Sequence, residues 1–103
     1  MLLSTTENLP GIEYEILGLV KGSTIQSKNV GHDIMAQFKT LVGGELTSYT
    51  DMMNEARALA TKRMVEEATA LNADAVVCMR YASSSVMAGA AEVIAYGTAV
   101  KYK

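Results

Sequence analysis

The chain has one cysteine, one histidine, one proline, one phenylalanine and no tryptophan in 103 residues. A single thiol, Cys78, closes no internal disulfide, so cross-links do not hold the fold and a reducing compartment suits it. Structural zinc wants four converging donors, and neither His32 nor Cys78 has a His or Cys neighbour, so no ligand spacing exists within one chain. A nucleophile with a linked base is missing too. Ser83-Ser84-Ser85 has no associated His and reads as a loop between strands, and Glu55, Glu66 and Glu67 read as solvated helix charges. The chain is therefore read as a non-enzyme, and no motif calls for a cofactor.

Long apolar runs are also missing, none approaching the roughly 20 residues that span a bilayer. Residues Met1 to Pro10 hold Glu7 and no basic stretch before an apolar core, so a secretory leader is not expected and the reading is cytoplasmic, without membrane contact. Positive charge is not in excess. The formal charge is -2, the sequence pI is near 5.3, and Lys and Arg are scattered, which leaves no basic field for nucleic acid.

What is present is apolar. Half of the residues are hydrophobic and 19% are charged, a lean charge supply for one small domain, residues 1–103, that must cover itself. Some apolar surface is expected to meet another chain. The seven methionines follow helical and strand spacing, with Met53 and Met64 on one helix stripe, which points to core packing rather than thioether metal binding.

Along the chain, Leu2 to Thr6 reads as an edge strand. Ile12, Tyr14 and Ile16 alternate with Glu13 and Glu15 as one inward face of a second strand. The apolar run Ile16 to Val20 needs cover on both sides or a bulge at Gly18, and Lys21-Gly22-Ser23 reads as the strand's end. Asn29 is a good N-cap for a short helix carrying Val30, Ile34, Met35, Phe38, Leu41 and Val42, with Asp33 favourable to its dipole and Gly43-Gly44 as its stop. Ser48 and Asp51 resemble a capping pair for a long helix reaching Leu71. Its stripe is Tyr49, Met53, Ala56, Ala60, Met64, Ala68 and Leu71, widened by Met52 and Leu59, with Ala58 and Val65 on the solvated side. Asn72 suits a left-handed cap.

Ala75 to Tyr81 reads as a central strand with Cys78 as a small buried hydrophobe, and Glu92 to Tyr102 as the last strand. On that strand Val93, Ala95, Gly97 and Ala99 form a small face able to receive the alanine-bearing helix, while Ile94, Tyr96, Val100 and Tyr102 form a bulky one that needs its own cover. The order β-β-α-α-β-β predicts an α+β domain: a mostly antiparallel, curved sheet packed by one long and one short helix.

Asn29, Asp33, Gly43-Gly44, Tyr49, Ala56-Arg57, Ala60, Met64, Ala73-Asp74-Ala75-Val76 and Gly97-Thr98-Ala99-Val100, in this order and spacing, resemble the YbjQ-like family of small bacterial proteins. The resemblance covers nearly the whole chain. It implies a dodecin-like subunit, a homopentamer as the working form, and a heavy-metal-binding family label. The chain departs from the family pattern at Glu45, where a basic residue often follows the glycines, at Asn72, where Gly is usual, and at Cys78, where Gly is common.

The site candidates are the residues around the glycine pair. Exposed N–H groups opening toward a helix start attract anions, although a tight helix-to-helix turn accounts for the same residues and no phosphate-binding lysine stands at the expected spacing. Asn29, Asp33, Gly43, Gly44, Tyr49 and Arg57 are the ligand or interface candidates. The expected partner is the chain itself, with a metal or small ligand held only where subunits meet.

Overall fold

A computed structural model of the chain describes residues 1–27 and 44–103, with the backbone alone for 44–48. The first expected helix, with Asn29 and Asp33, lies outside the described residues. The described residues form four strands and one helix: β1 (Leu2–Leu3), β2 (Tyr14–Ser27), α1 (Gly44–Ala70), β3 (Ala75–Met87) and β4 (Ala90–Tyr102). The sheet order is β1-β3-β4-β2, with β1 parallel to β3 and the other pairs antiparallel. The α+β class is as expected.

β2 does not stop at Lys21-Gly22-Ser23 but runs on to Ser27, paired with β4 throughout. The glycine has another use. A Cβ on Gly22 would lie 2.3 Å from the Ala60 carbonyl oxygen and 2.3 Å from the Met64 nitrogen, so the strand backbone touches the helix backbone there. The bulge at Gly18 is present: Ile16 pairs with Val100 and Gly18 with Ala99, leaving Leu17 as the extra residue, and Gly18 has φ 142°. Beyond it Val20, Gly22 and Thr24 face the helix and are buried. Ile12 and Ile16 are not inward, as expected from the alternation, but exposed: Ile12 lies before β2, and Ile16 stands at the edge of the sheet on the side away from the helix.

α1 starts four residues before Ser48, so that serine lies inside the helix rather than at its cap, and Gly44 begins the helix. The buried stripe is Met52, Ala56, Ala60, Met64 and Ala68, spaced by four. Tyr49 and Leu71, at the two ends of the expected stripe, are exposed, whereas Val65 packs against the core instead of facing solvent. The helix ends as expected. Asn72 has φ 60°, its N–H donates to Thr69 (2.9 Å), and the Ala73 N–H donates to Ala68 (3.1 Å), the paired bonds of a Schellman cap.

β3 continues through Ser83-Ser84-Ser85, which pair with Val93, Glu92 and Ala91 and are strand, not loop. The connection is only Ala88-Gly89, with Gly89 at φ 75°, because a two-residue hairpin turn requires positive φ. The small face of β4 meets the helix as expected, with Val93, Ala95 and Ala99 in the main core beside Val20, Ala56, Ala60, Met64, Ala68, Val76 and Met79. A second, smaller cluster on the other side joins Leu9 to Ala75, Val77 and Val100.

Because the contact at Gly22 is backbone to backbone, a methyl there has nowhere to go. Gly22→Ala should lower stability by about 2 kcal/mol or more, within the range of overpacked cores. Urea unfolding followed by circular dichroism checks this, and an unchanged midpoint would contradict it.

Candidate functional site

Of the six site candidates, Asn29, Asp33 and Gly43 lie outside the described residues, and Gly44, Tyr49 and Arg57 lie on α1. Tyr49 and Arg57 are eight residues apart, which on a helix means a rise of about 12 Å and a turn of about 80°. They do not converge. Arg57 is half-buried and its Nη2 donates to Asn54 Oδ1 one turn back (2.5 Å), so the guanidinium is held along its own helix. Thr61, below it, donates to the Arg57 carbonyl (2.8 Å) and shares a hydrogen bond with the Tyr81 hydroxyl (2.7 Å), tying α1 to β3.

The other edge of α1 is tied to β2. Arg63 Nη1 donates to the Ser23 carbonyl (2.7 Å), and Glu67 Oε1 accepts from the Lys21 N–H (3.3 Å). These bonds occupy outward backbone groups of an edge strand, which would otherwise be open to pairing.

Cys78 is not a buried strand residue. It is half-buried at a bulge between the pairs Val77/Thr98 and Arg80/Tyr96, and it has φ 55°. Its N–H donates to the Thr6 carbonyl (3.1 Å), and its Sγ lies 3.8 Å from the same oxygen. The left-handed conformation is costly for a side chain with a Cβ, which explains why glycine suits this position. Among the described residues no group of three or more His, Cys, Asp or Glu side chains converges on one point. The described donor set thus does not fit a heavy metal: it offers one thiol and no clustered partner for it, and His32 lies outside the described residues.

The bulky face of β4, expected to need its own cover, is part of the outer face of the sheet, the side away from α1; what the sequence reading missed is the share of β2 in that face. Register places Leu19 beside Thr98, Lys21 beside Tyr96 and Arg80, Ser23 beside Ile94 and Ala82, and Ile25 beside Glu92 and Ser84. Ile16 (71% exposed), Leu19 (68%) and Ile25 (64%) stand open on this face. The N-terminal segment covers only its lower part, through Leu9. Arg80 Nη1 donates to the Thr5 and Met79 carbonyls (3.0 and 2.8 Å), and the side chain stays exposed. No helix among the described residues is long and apolar enough to cross a membrane.

A two-layer α+β domain with one long helix over a four-stranded sheet is the class that these observations define. The chain belongs to the YbjQ_1 family, described as "Putative heavy-metal-binding", whose model matches residues 1–103. It is similar to a UPF0145 protein of Alkaliphilus metalliredigens, 64% identical over 102 residues and covering 99% of each chain. A UPF0145 protein of Thermotoga maritima is 56% identical over 102 residues, covering 98% of this chain and 96% of that one. A solved structure of a DUF74-family protein of unknown function from Pediococcus pentosaceus shares the fold with a TM-score of 0.67 and 16% identity, over 100% of this chain and 98% of that one. None of these three names states an enzymatic activity.

Replacing Cys78 by glycine should raise stability by about 1 kcal/mol, since it removes the left-handed strain. A β-branched residue should do the reverse: Cys78→Val should cost at least about 1 kcal/mol. Thermal unfolding of the two variants checks the order, and a glycine variant less stable than the valine one would contradict it.

Proposed function

We propose that this chain works as a homo-oligomer, a pentameric ring in the cytosol, and that its role is carried by the assembled surface and not by a catalytic site within one subunit. The observation that carries this reading is the open apolar face of the sheet. Covering the exposed parts of Ile16, Leu19 and Ile25 yields about 1–2 kcal/mol each, which together only reaches the low end of the roughly 4–15 kcal/mol that association costs. The joint therefore needs more than these three side chains. The shape supports an extended contact: the radius of gyration is 17.1 Å, against about 13 Å for a compact domain of 100 residues, and the longest dimension is 56 Å. Every residue from Arg80 to Ala88, along the far half of β3 and into its turn, is exposed.

The family resemblance supports five-fold closure. A ring uses two different patches on every subunit and leaves neither open.

At micromolar concentration the purified chain should scatter as a particle of about 55 kDa, five times the 11.0 kDa subunit. Leu19→Lys should shift it to a monomer with an unchanged far-ultraviolet spectrum. A wild-type chain that stays at 11.0 kDa would sink the reading. Native mass spectrometry of the same sample should show five chains and no retained ligand mass.

A further inference from the structure

We infer that the free edge of β3, from Tyr81 to Ser85, docks an extended, acid-bearing segment of another protein, which adds a strand to the sheet beside the flank of α1. The inference does not rest on the ring reading.

The place follows from where the helix lies. α1 sits mainly over β2 and β4, and the β4 residues facing it, Ala91, Val93 and Ala95, are buried. Their partners on β3, Ser85, Ser83 and Tyr81, face the same side one strand further out and are exposed. β3 thus forms an open shelf beside the helix. Its wall is the flank of α1 at Arg57 and Thr61, tied to the floor by the hydrogen bond between Thr61 and the Tyr81 hydroxyl (2.7 Å). The shelf ends in an open edge. β1 pairs with Ala75 and Val76, and the Thr6 and Ser4 carbonyls accept from the Cys78 and Met79 N–H groups. From Tyr81 to Ser85 the backbone groups turned away from β4 have no partner among the described residues. A row of alternating N–H and C=O groups is matched by another strand.

The two long edges of the sheet are treated differently. On β2 the Lys21 N–H and the Ser23 carbonyl are taken by Glu67 and Arg63. On β3 the stretch from Tyr81 to Ser85 carries neither charge nor proline, the devices that keep an edge from pairing, and the bulge comes only after Ser85. With the β2 edge occupied and β1 only two residues long, a neighbouring copy has no different long edge to offer this one, so the incoming strand belongs to another protein. Its chemistry is set by the wall. Arg57 is half-buried, spends one N–H on Asn54 and has no carboxylate partner among the described residues, while Asp51, Glu55 and Glu66 stand on the outer side of α1. A carboxylate on the incoming strand is the complement, because a guanidinium holds one with two parallel hydrogen bonds.

The test uses the wild-type chain as it assembles and a fluorescent heptapeptide that alternates threonine and valine around a central glutamate. Fluorescence anisotropy should give a dissociation constant on the order of 100 µM. The peptide should slow amide hydrogen exchange at Tyr81 to Ser85 and leave β2 unchanged. Lysine in place of the glutamate should weaken binding at least about tenfold. Arg57→Glu should reverse that preference and Arg57→Gln should remove it, both with an unchanged circular dichroism spectrum, a pattern that a merely structural Arg57 would not give. The same peptide N-methylated throughout keeps its side chains but donates no backbone hydrogen bond, and should not bind. No binding of the glutamate peptide at millimolar concentration, or binding that leaves exchange at Tyr81 to Ser85 unchanged, overturns the proposal. So does protection of this edge that grows with protein concentration in the absence of peptide, which gives the edge to a second copy pairing β3 with β3.

Discussion

The structure depends on the backbone contact between Gly22 of β2 and α1 at Ala60 and Met64. A helix that close to a strand presents small side chains along most of the seam, with Met64 the large one, and half of the ten residues in the main core are alanine. Each buried alanine methyl contributes about 0.8 kcal/mol, against about 1.5–3 for a larger apolar side chain. The core between helix and sheet is therefore thin for its length. It holds its geometry with help from the edges, where Arg63 and Glu67 bond the β2 backbone and Thr61 meets Tyr81. The larger apolar side chains Ile16, Leu19 and Ile25 are not in that seam at all.

Two bulges decide which side chains end up outside. The one on β2 opposes Ala99, and the one on β3 falls between the partners Thr98 and Tyr96, so both strands flanking β4 step at nearly the same level. Gly97 sits between them, where a Cβ would come within 2.6 Å of Val76 Cγ1. Below this level Leu9 covers the middle of the outer face over Ala75, Val77 and Val100, Tyr14 is held there by a hydrogen bond from its hydroxyl to the Glu7 carbonyl, and Ile16 on the β2 edge stays open. Above it the face carries Lys21, Tyr96 and Arg80 and stays open among the described residues. The bulges thus mark the boundary between a half that Leu9 covers in the middle and a half with no such cover among the described residues.

Much of this was legible in single residues whose physical demands are specific. Asn72 reads as a left-handed cap, the run around Gly18 as either a bulge or a strand covered on both sides, and the alternation of small residues on β4 as the face a helix approaches. The misreadings share a cause. Glycine marks either a turn or a close approach, and only the position of α1 tells which applies at Gly22. The three serines look like a loop until the register supplies Val93, Glu92 and Ala91 as partners. Tyr49 and Arg57 looked like neighbours of a glycine loop, but a helix that begins at Gly44 strings them along its length. The outer face was harder to see. Counting by twos from Ile16 puts 18, 20 and 22 beside it, and the extra residue at the bulge reverses that parity, so that Leu19 and Lys21 face outward instead.

The same parity argument bears on composition. A monomer with 19% charged residues has few charges to spread, and three of its eleven acids, Asp51, Glu55 and Glu66, line the outer side of α1 while two of the cations, Lys21 and Arg80, stand among apolar groups on the far side of the sheet. In an isolated domain that segregation costs solubility and gains nothing, since exposed charges so far apart interact weakly through water. In the proposed ring the open apolar part of that sheet face is covered by a neighbouring copy. The lean charge supply and the open apolar rows then have one explanation: part of what counts as surface in the single chain is interior in the assembly.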